Sequence, residues 1–125
     1  MPGQTDRRQP VVTHVHQSSE VLHQVLRIPE DLAWFEGHFP GEPILAGVIQ
    51  LKWAIESAQC MTGAGTQPAA IHQLKFKSPI RPGTIVDLTL RSVDGGATVK
   101  FSYRSEAGEH SSGRLIYRMP SEERA

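Results

Sequence analysis

The run Phe35-Glu36-Gly37-His38-Phe39-Pro40-Gly41-Glu42-Pro43 stands directly before an apolar helical pattern extending from Ile44 to Met61. A histidine on a Gly/Pro-rich loop, aimed at the start of a helix, suits removal of a proton next to a carbonyl. Imidazole titrates close to working pH, which makes His38 the candidate base. The positive end of a helix can stabilise the charge that develops on the carbonyl oxygen. Gly47 lies near that end. Its lack of a side chain permits close approach to an N–H that has no partner inside the helix.

Other residues with chemical potential carry weaker signals. His14 and His16 alternate along one predicted strand. A His-x-His pair can bind metal, but no third ligand is suggested, so a solvent-facing strand is the expectation and no metal is assigned. His23 and His72 lie in predicted strands and are read as structural. Trp34, Phe35, Phe39 and Trp53 could wall an apolar tunnel or pack in the core. Asp87 and Arg91 share a strand face and are expected to be solvated.

These residues need elements to hold them. Val11–His16 and Val21–Ile28 are β-rich runs around Gln17-Ser18-Ser19-Glu20, which reads as a hairpin with Leu22, Leu26 and Ile28 on one face. The helix pattern follows, with Ile44, Val48, Leu51, Ile55 and Ala58 forming one apolar stripe. Gln50 falls opposite that stripe, near Ser57, where it could line a channel or face a partner subunit. Gly63 and Gly65 can end the helix. The period then changes to two. Ile71–Lys77, Ile85–Arg91, Thr98–Arg104 and Ser112–Met119 read as strands, and Val99, Phe101 and Tyr103 alternate with Lys100, Ser102 and Arg104. Arg81-Pro82-Gly83-Thr84 has the residues of a type II turn, while Asp94-Gly95-Gly96 and Ala107-Gly108 mark hairpins. Short connections imply an antiparallel sheet. The expectation is an α+β fold: about six strands curled around one long central helix.

The chain has 125 residues, with 13 basic and 13 acidic side chains and no net formal charge. That length fits one domain, expected over residues 10–119, with flexible tails at 1–9 and 120–125. No basic stripe points to nucleic acid, and no apolar run is long enough to span a membrane. The first ten residues lack a signal-peptide core, and Cys60 is the only cysteine, so a cytoplasmic location is expected.

His38-Phe39-Pro40-Gly41-Glu42-Pro43-Ile44-Leu45-Ala46-Gly47-Val48 resembles the signature of the hotdog-fold 3-hydroxyacyl-acyl carrier protein dehydratases of fatty acid synthesis. Leu74-Lys75-Phe76-Lys77-Ser78-Pro79-Ile80-Arg81-Pro82-Gly83 resembles that family's second signature. The resemblance covers the chain from about Val21 to Arg118. Two departures stand out: Ala46 replaces the usual proline, and Lys52 replaces the usual helix carboxylate. The stretch Gly47–Ala54 looks more like a divergent branch that includes dehydratases of aryl-polyene and xanthomonadin-type pigment clusters.

The resemblance implies a hotdog fold and dehydration of a 3-hydroxyacyl thioester, held on an acyl carrier protein, to the trans-2-enoyl thioester. It also implies a homodimer with sites between subunits, and no cofactor. His38 and Gly47 match the family's base and carbonyl donor, and Phe39, Pro40, Gly41, Val48 and Gln50 are the expected substrate contacts. The acid that protonates the leaving hydroxyl has two candidates, Lys52 as an ammonium and Glu56 one turn later. An ordinary i,i+4 pair adding only ~0.3 kcal/mol would look the same in sequence. Two further readings remain: a hotdog thioesterase, or a non-catalytic acyl-binding partner subunit, which the loss of the carboxylate at Lys52 favours.

Overall fold

The structure, a computed structural model, describes residues 8–32 and 44–117. Its elements in chain order are β1 (Val11–Gln17), β2 (Val21–Arg27), α1 (Gly47–Thr62), β3 (Ala70–Phe76), β4 (Ile85–Val93), β5 (Thr98–Ser105) and β6 (Gly108–Ile116). The six strands form one antiparallel sheet in the order β1-β2-β4-β5-β6-β3. The sheet curls around α1 as a hotdog fold, which agrees with the sequence expectation.

Strand alternation explains the core. Leu22 and Leu26 of β2, Val86, Leu88 and Leu90 of β4, Val99, Phe101 and Tyr103 of β5, and Leu115 of β6 all turn inward and are buried. Ile49, Trp53, Ala54 and Ala58 of α1 meet them. Each large apolar side chain buried this way contributes about 1.5–3 kcal/mol. The type II turn forms as expected: Gly83 has φ 81°, and Thr84 N–H donates to Arg81 C=O at 3.3 Å. Gly83 N–H also reaches Ile28 C=O at 2.7 Å, and Ile28 N–H reaches Thr84 C=O at 2.9 Å.

Two expectations are corrected. The last strand begins at Gly108 rather than Ser112, directly after the turn at Glu106-Ala107. The buried face of α1 is Ile49, Gln50, Trp53, Ala54 and Ala58; of the expected stripe only Ala58 is fully buried, Leu51 and Ile55 pack at the margin of the core, and Val48 faces outward. Ile44 precedes the helix and does not belong to its periodicity. Val48 is 68% exposed, and Leu51 and Ile55 are half-buried. The inward face tolerates Gln50 and Ser57 because each finds a polar partner, Ser57 Oγ donating to Gln24 Oε1 at 2.9 Å. Of the expected tails, Arg8 and Gln9 are described: the Trp53 indole N–H donates to Arg8 C=O at 3.2 Å.

Candidate active site

The start of α1 opens into a groove of about 600 Å³. Ile44, Leu45, Ala46 and Val48 form one wall, and Phe76, Lys77, Ser78 and Pro79 the other. The segment before the helix is fixed by Leu45 N–H donating to Ile80 C=O at 2.8 Å. Ala46 is the N-cap in an extended conformation, and no side chain caps the helix. The first turn contains no acidic residue. Within an α-helix the first N–H groups lack intrahelical acceptors, so the amides at Gly47 and Val48 are left available to a ligand oxygen.

Gln50 fixes this first turn from below. It is 3% exposed. Its Nε2 donates to Leu45 C=O at 3.1 Å, and its Oε1 accepts from Ser111 Oγ at 2.7 Å. Its own carbonyl accepts from the Tyr103 hydroxyl at 2.7 Å. Burial pushes the Tyr103 phenol far above its ordinary range, with a smaller push from the Glu56 charge. Gln50 therefore contributes to the floor of the groove while tying the helix to β5 and β6.

The opposite wall is held by a residue that the sequence did not single out. His110 of β6 is 3% exposed and lies between two serines. Its Nε2 is 2.6 Å from Ser105 Oγ, and its Nδ1 is 3.0 Å from Ser78 Oγ. Ser78 Oγ donates to Glu109 C=O at 3.2 Å, and Lys77 N–H donates to His110 C=O at 2.8 Å. The groove segment 77–78 is thus pinned to the β5–β6 hairpin. The signal available in sequence was the hydrophilic run Glu109-His110-Ser111-Ser112, which reads as a turn until Gly108 is recognised as a strand residue.

Lys77 also joins the Glu109 carboxylate at 3.4 Å, as does Arg104 at 3.4 Å. Burial alone would raise the Glu109 carboxyl, but hydrogen bonds from Lys77 and Ser112 and the charges of Lys77 and Arg104 together hold it below its ordinary value.

Of the residues expected from sequence, Gly47, Val48 and Gln50 come together at the groove. His38, Phe39, Pro40 and Gly41 lie outside the described residues. Lys52 Nζ and Glu56 Oε2 form an ion pair, with side chains 47% and 42% exposed. Glu56 lines a second, smaller groove with Gln24, Trp53 and Ser57, and neither it nor Lys52 lines the groove at Gly47. In the single protomer this is the surface i,i+4 pair. His14 bonds only to Thr13, and His23 pairs with Asp87 at 3.1 Å. Among the described residues there is no cluster that could hold a metal ion and no helix long and apolar enough to cross a membrane.

Comparison with known proteins places this geometry. A family model described as ApeI-like, ApeI dehydratase, matches residues 14–114. The 3-hydroxyacyl-[acyl-carrier-protein] dehydratase FabZ of Novosphingobium aromaticivorans is 31% identical over 101 residues, covering 73% of this chain and 64% of that protein. FabZ of Erythrobacter litoralis is 31% identical over 98 residues, covering 70% and 64%. The chain therefore spans less than two thirds of the length of these curated relatives. Among solved structures, the dehydratase heterocomplex ApeI:P from Xenorhabdus doucetiae superposes with a TM-score of 0.79 at 28% identity, covering 86% of this chain and 96% of that one. Thioesterase superfamily member 2 from Mus musculus, at 13% identity and a TM-score of 0.67, shares the fold alone. The match across residues 14–114, with the same fold, makes this chain a member of the ApeI-like dehydratase family.

Proposed function

We propose that this protein dehydrates a 3-hydroxyacyl thioester carried on an acyl carrier protein, giving the trans-2-enoyl thioester and water, in fatty acid or polyene pigment biosynthesis. The observation that carries this reading is the uncapped start of α1 at Gly47, open to a largely apolar groove. The thioester oxygen lies against the Gly47 N–H. His38 takes the proton from the carbon between the two oxygen-bearing carbons. Negative charge moves to the thioester oxygen, where the helix start stabilises it. The 3-hydroxyl then leaves as water after accepting a proton, and Lys52 is the proposed donor. No cofactor is needed for these steps.

The same reading includes a homodimer. Val48, Leu74 and Phe76 are 68%, 38% and 52% exposed, around a sheet edge formed by β3. An edge strand with apolar side chains calls for cover. A second copy placed along β3 would cover it and bring the partner's α1 surface towards the groove. Sedimentation at micromolar concentration tests this, and a stable monomer would contradict it.

The second reading is a non-catalytic subunit that pairs with a different hotdog chain. It is favoured by Lys52 at the usual carboxylate position and its surface pairing with Glu56. The ApeI:P structure, a heterocomplex, makes such pairing a concrete alternative. Purified protein incubated with a 3-hydroxyacyl carrier-protein substrate separates the two through enoyl product. His38→Ala is expected to lower its formation by about 10²–10⁴-fold, the usual loss for a general base. Product from wild type and equal product from His38→Ala would remove His38 from the mechanism. Release of free thiol instead would identify a thioesterase.

A further inference from the structure

The outer face of the sheet, turned away from α1, is divided into two halves of different charge economy. At one end, Asp87 pairs with His23, and Glu109 pairs with Lys77 and Arg104. Two outward rows further along, the register sets Arg91 opposite Lys100 and Lys100 opposite Arg114. Lys75 of β3 stands beside them, opposite Ser112. None of these cations has an ion-pair partner among the described residues. Directly opposed like charges destabilise a sheet, so the row Arg91-Lys100-Arg114 is not explained by folding.

The outward row between these cations and the compensated end carries hydroxyls. Thr89, Ser102 and Ser112 are cross-strand neighbours in the adjacent outward row. Together with the cations they line a shallow dish of about 380 Å³ on β3–β6, β4 and β5. Ser112 is engaged by the Glu109 carboxylate, but the Thr89 and Ser102 hydroxyls beside arginine and lysine fit phosphate oxygens, and arginine does so in a fixed two-point geometry. Arg91 and Arg114 stand two strands apart, about 10 Å at ~4.8 Å per strand. Three cations spread over that span match an anion that presents charge at more than one point, such as two linked phosphates. The chain has no net charge, so this concentration is local rather than a consequence of a basic composition.

We propose that this dish is a binding site for a small anion bearing two or more phosphate groups, separate from the groove at Gly47. Arg91 and Arg114 hold the outer phosphates, Lys100 sits beneath the bridge, and Thr89 and Ser102 donate from the floor. The bound anion offsets the repulsion along the row.

The test uses inorganic pyrophosphate as probe, with thermal melting and titration calorimetry at an ionic strength held constant with sodium chloride. The expected result is a saturable rise in melting temperature, with inorganic monophosphate binding at least tenfold more weakly. Lys100→Gln and Arg114→Gln should each weaken pyrophosphate binding at least tenfold, and Arg104→Gln, at the compensated end, should leave it within twofold. Equal melting in pyrophosphate and in chloride of matched ionic strength would overturn the site. So would undiminished binding in both Lys100→Gln and Arg114→Gln, or an equal loss in Arg104→Gln.

Discussion

The ring of Phe76 lies across the start of α1, so close to Gly47 that a β-carbon on that glycine would sit 2.6 Å from ring Cζ and 2.7 Å from Cε1. The Phe76 ring thus favours glycine at this position independently of the proposed approach of a substrate oxygen. Phe76 is 52% exposed, so its ring has room to swing outward.

Gly47→Ala is therefore expected to harm turnover more than stability. Alanine gains about 1 kcal/mol over glycine inside a helix, which offsets part of the cost of moving the ring. The methyl group and displaced ring remain at the groove, and turnover should fall at least about tenfold, equivalent to ~1.4 kcal/mol in the barrier. Melting beside kinetics checks this. Adding Phe76→Ala to Gly47→Ala should leave turnover low while removing the steric term from the melting temperature. A large fall in melting temperature with unchanged turnover would assign Gly47 to packing.

Legibility in the sequence followed the strength of local signals. Alternation over Val99–Tyr103 and the Pro82-Gly83 turn could be read directly, because period two and a positive φ each demand particular residues. The helix itself was legible but its inward face was not. Hydrophobicity alone centred the inward face on Val48, Leu51 and Ile55, whereas Leu51 and Ile55 lie at its margin and the sheet supplies Ser111, Tyr103 and Gln24 as partners for the polar side of α1. Those partners are 61, 53 and 33 residues away from theirs in sequence, so no local pattern announces them. For the same reason Gly47 could be placed at the site from its loop and helix, while His110 could not.

The buried Tyr103 hydroxyl makes an alkaline stability limit. Its phenol is raised in the folded protein by burial first and by Glu56 second. Above ~10, the unfolded chain loses this proton while the folded chain retains it, so the unfolded state gains with rising pH. Stability from this group is complete below pH ~10 and should decline by about 1.4 kcal/mol per pH unit above it. Tyr103→Phe should lose ~1 kcal/mol at neutral pH with its hydrogen bond to Gln50, but show a shallower decline above pH 10. Denaturant melts of both proteins from pH 7 to 11 measure the difference, and parallel curves would refute it.

His110 positions the groove wall through Ser78. His110→Ala removes a buried ring and leaves the Ser105 and Ser78 hydroxyls without it, at a cost of about 1–3 kcal/mol. The accompanying change should be a raised KM with a smaller change in kcat, because the segment 77–78 lines the groove and carries no step of the proposed reaction. Ser105→Ala should move both quantities in the same direction but less. A fall in melting temperature with KM unaltered would reduce His110 to a purely structural tie.

The pair of Lys52 and Glu56 decides between the two functional readings. Both side chains are close to half exposed in the protomer, and an exposed pair of this kind contributes only about 0.3–0.5 kcal/mol. Neither Lys52→Ala nor Glu56→Ala should therefore shift the melting temperature appreciably. Activity is a different matter if a second subunit covers the Val48 and Lys52 side of α1. The ammonium is already a proton donor, and its long stem allows it to leave Glu56 for a leaving hydroxyl in the neighbouring groove. Glu56 competes with the leaving hydroxyl for the ammonium, so removing Glu56 should cost less than removing Lys52. Lys52→Ala is expected to lose more enoyl formation than Glu56→Ala, and Lys52→Glu to restore part of it by returning a carboxylate to that position. Initial rates with a 3-hydroxyacyl carrier-protein substrate rank the three variants. Near-wild-type rates in both alanine variants would show that neither group is the acid. Absence of enoyl product in every form, wild type included, would move the protein to the role of a partner subunit.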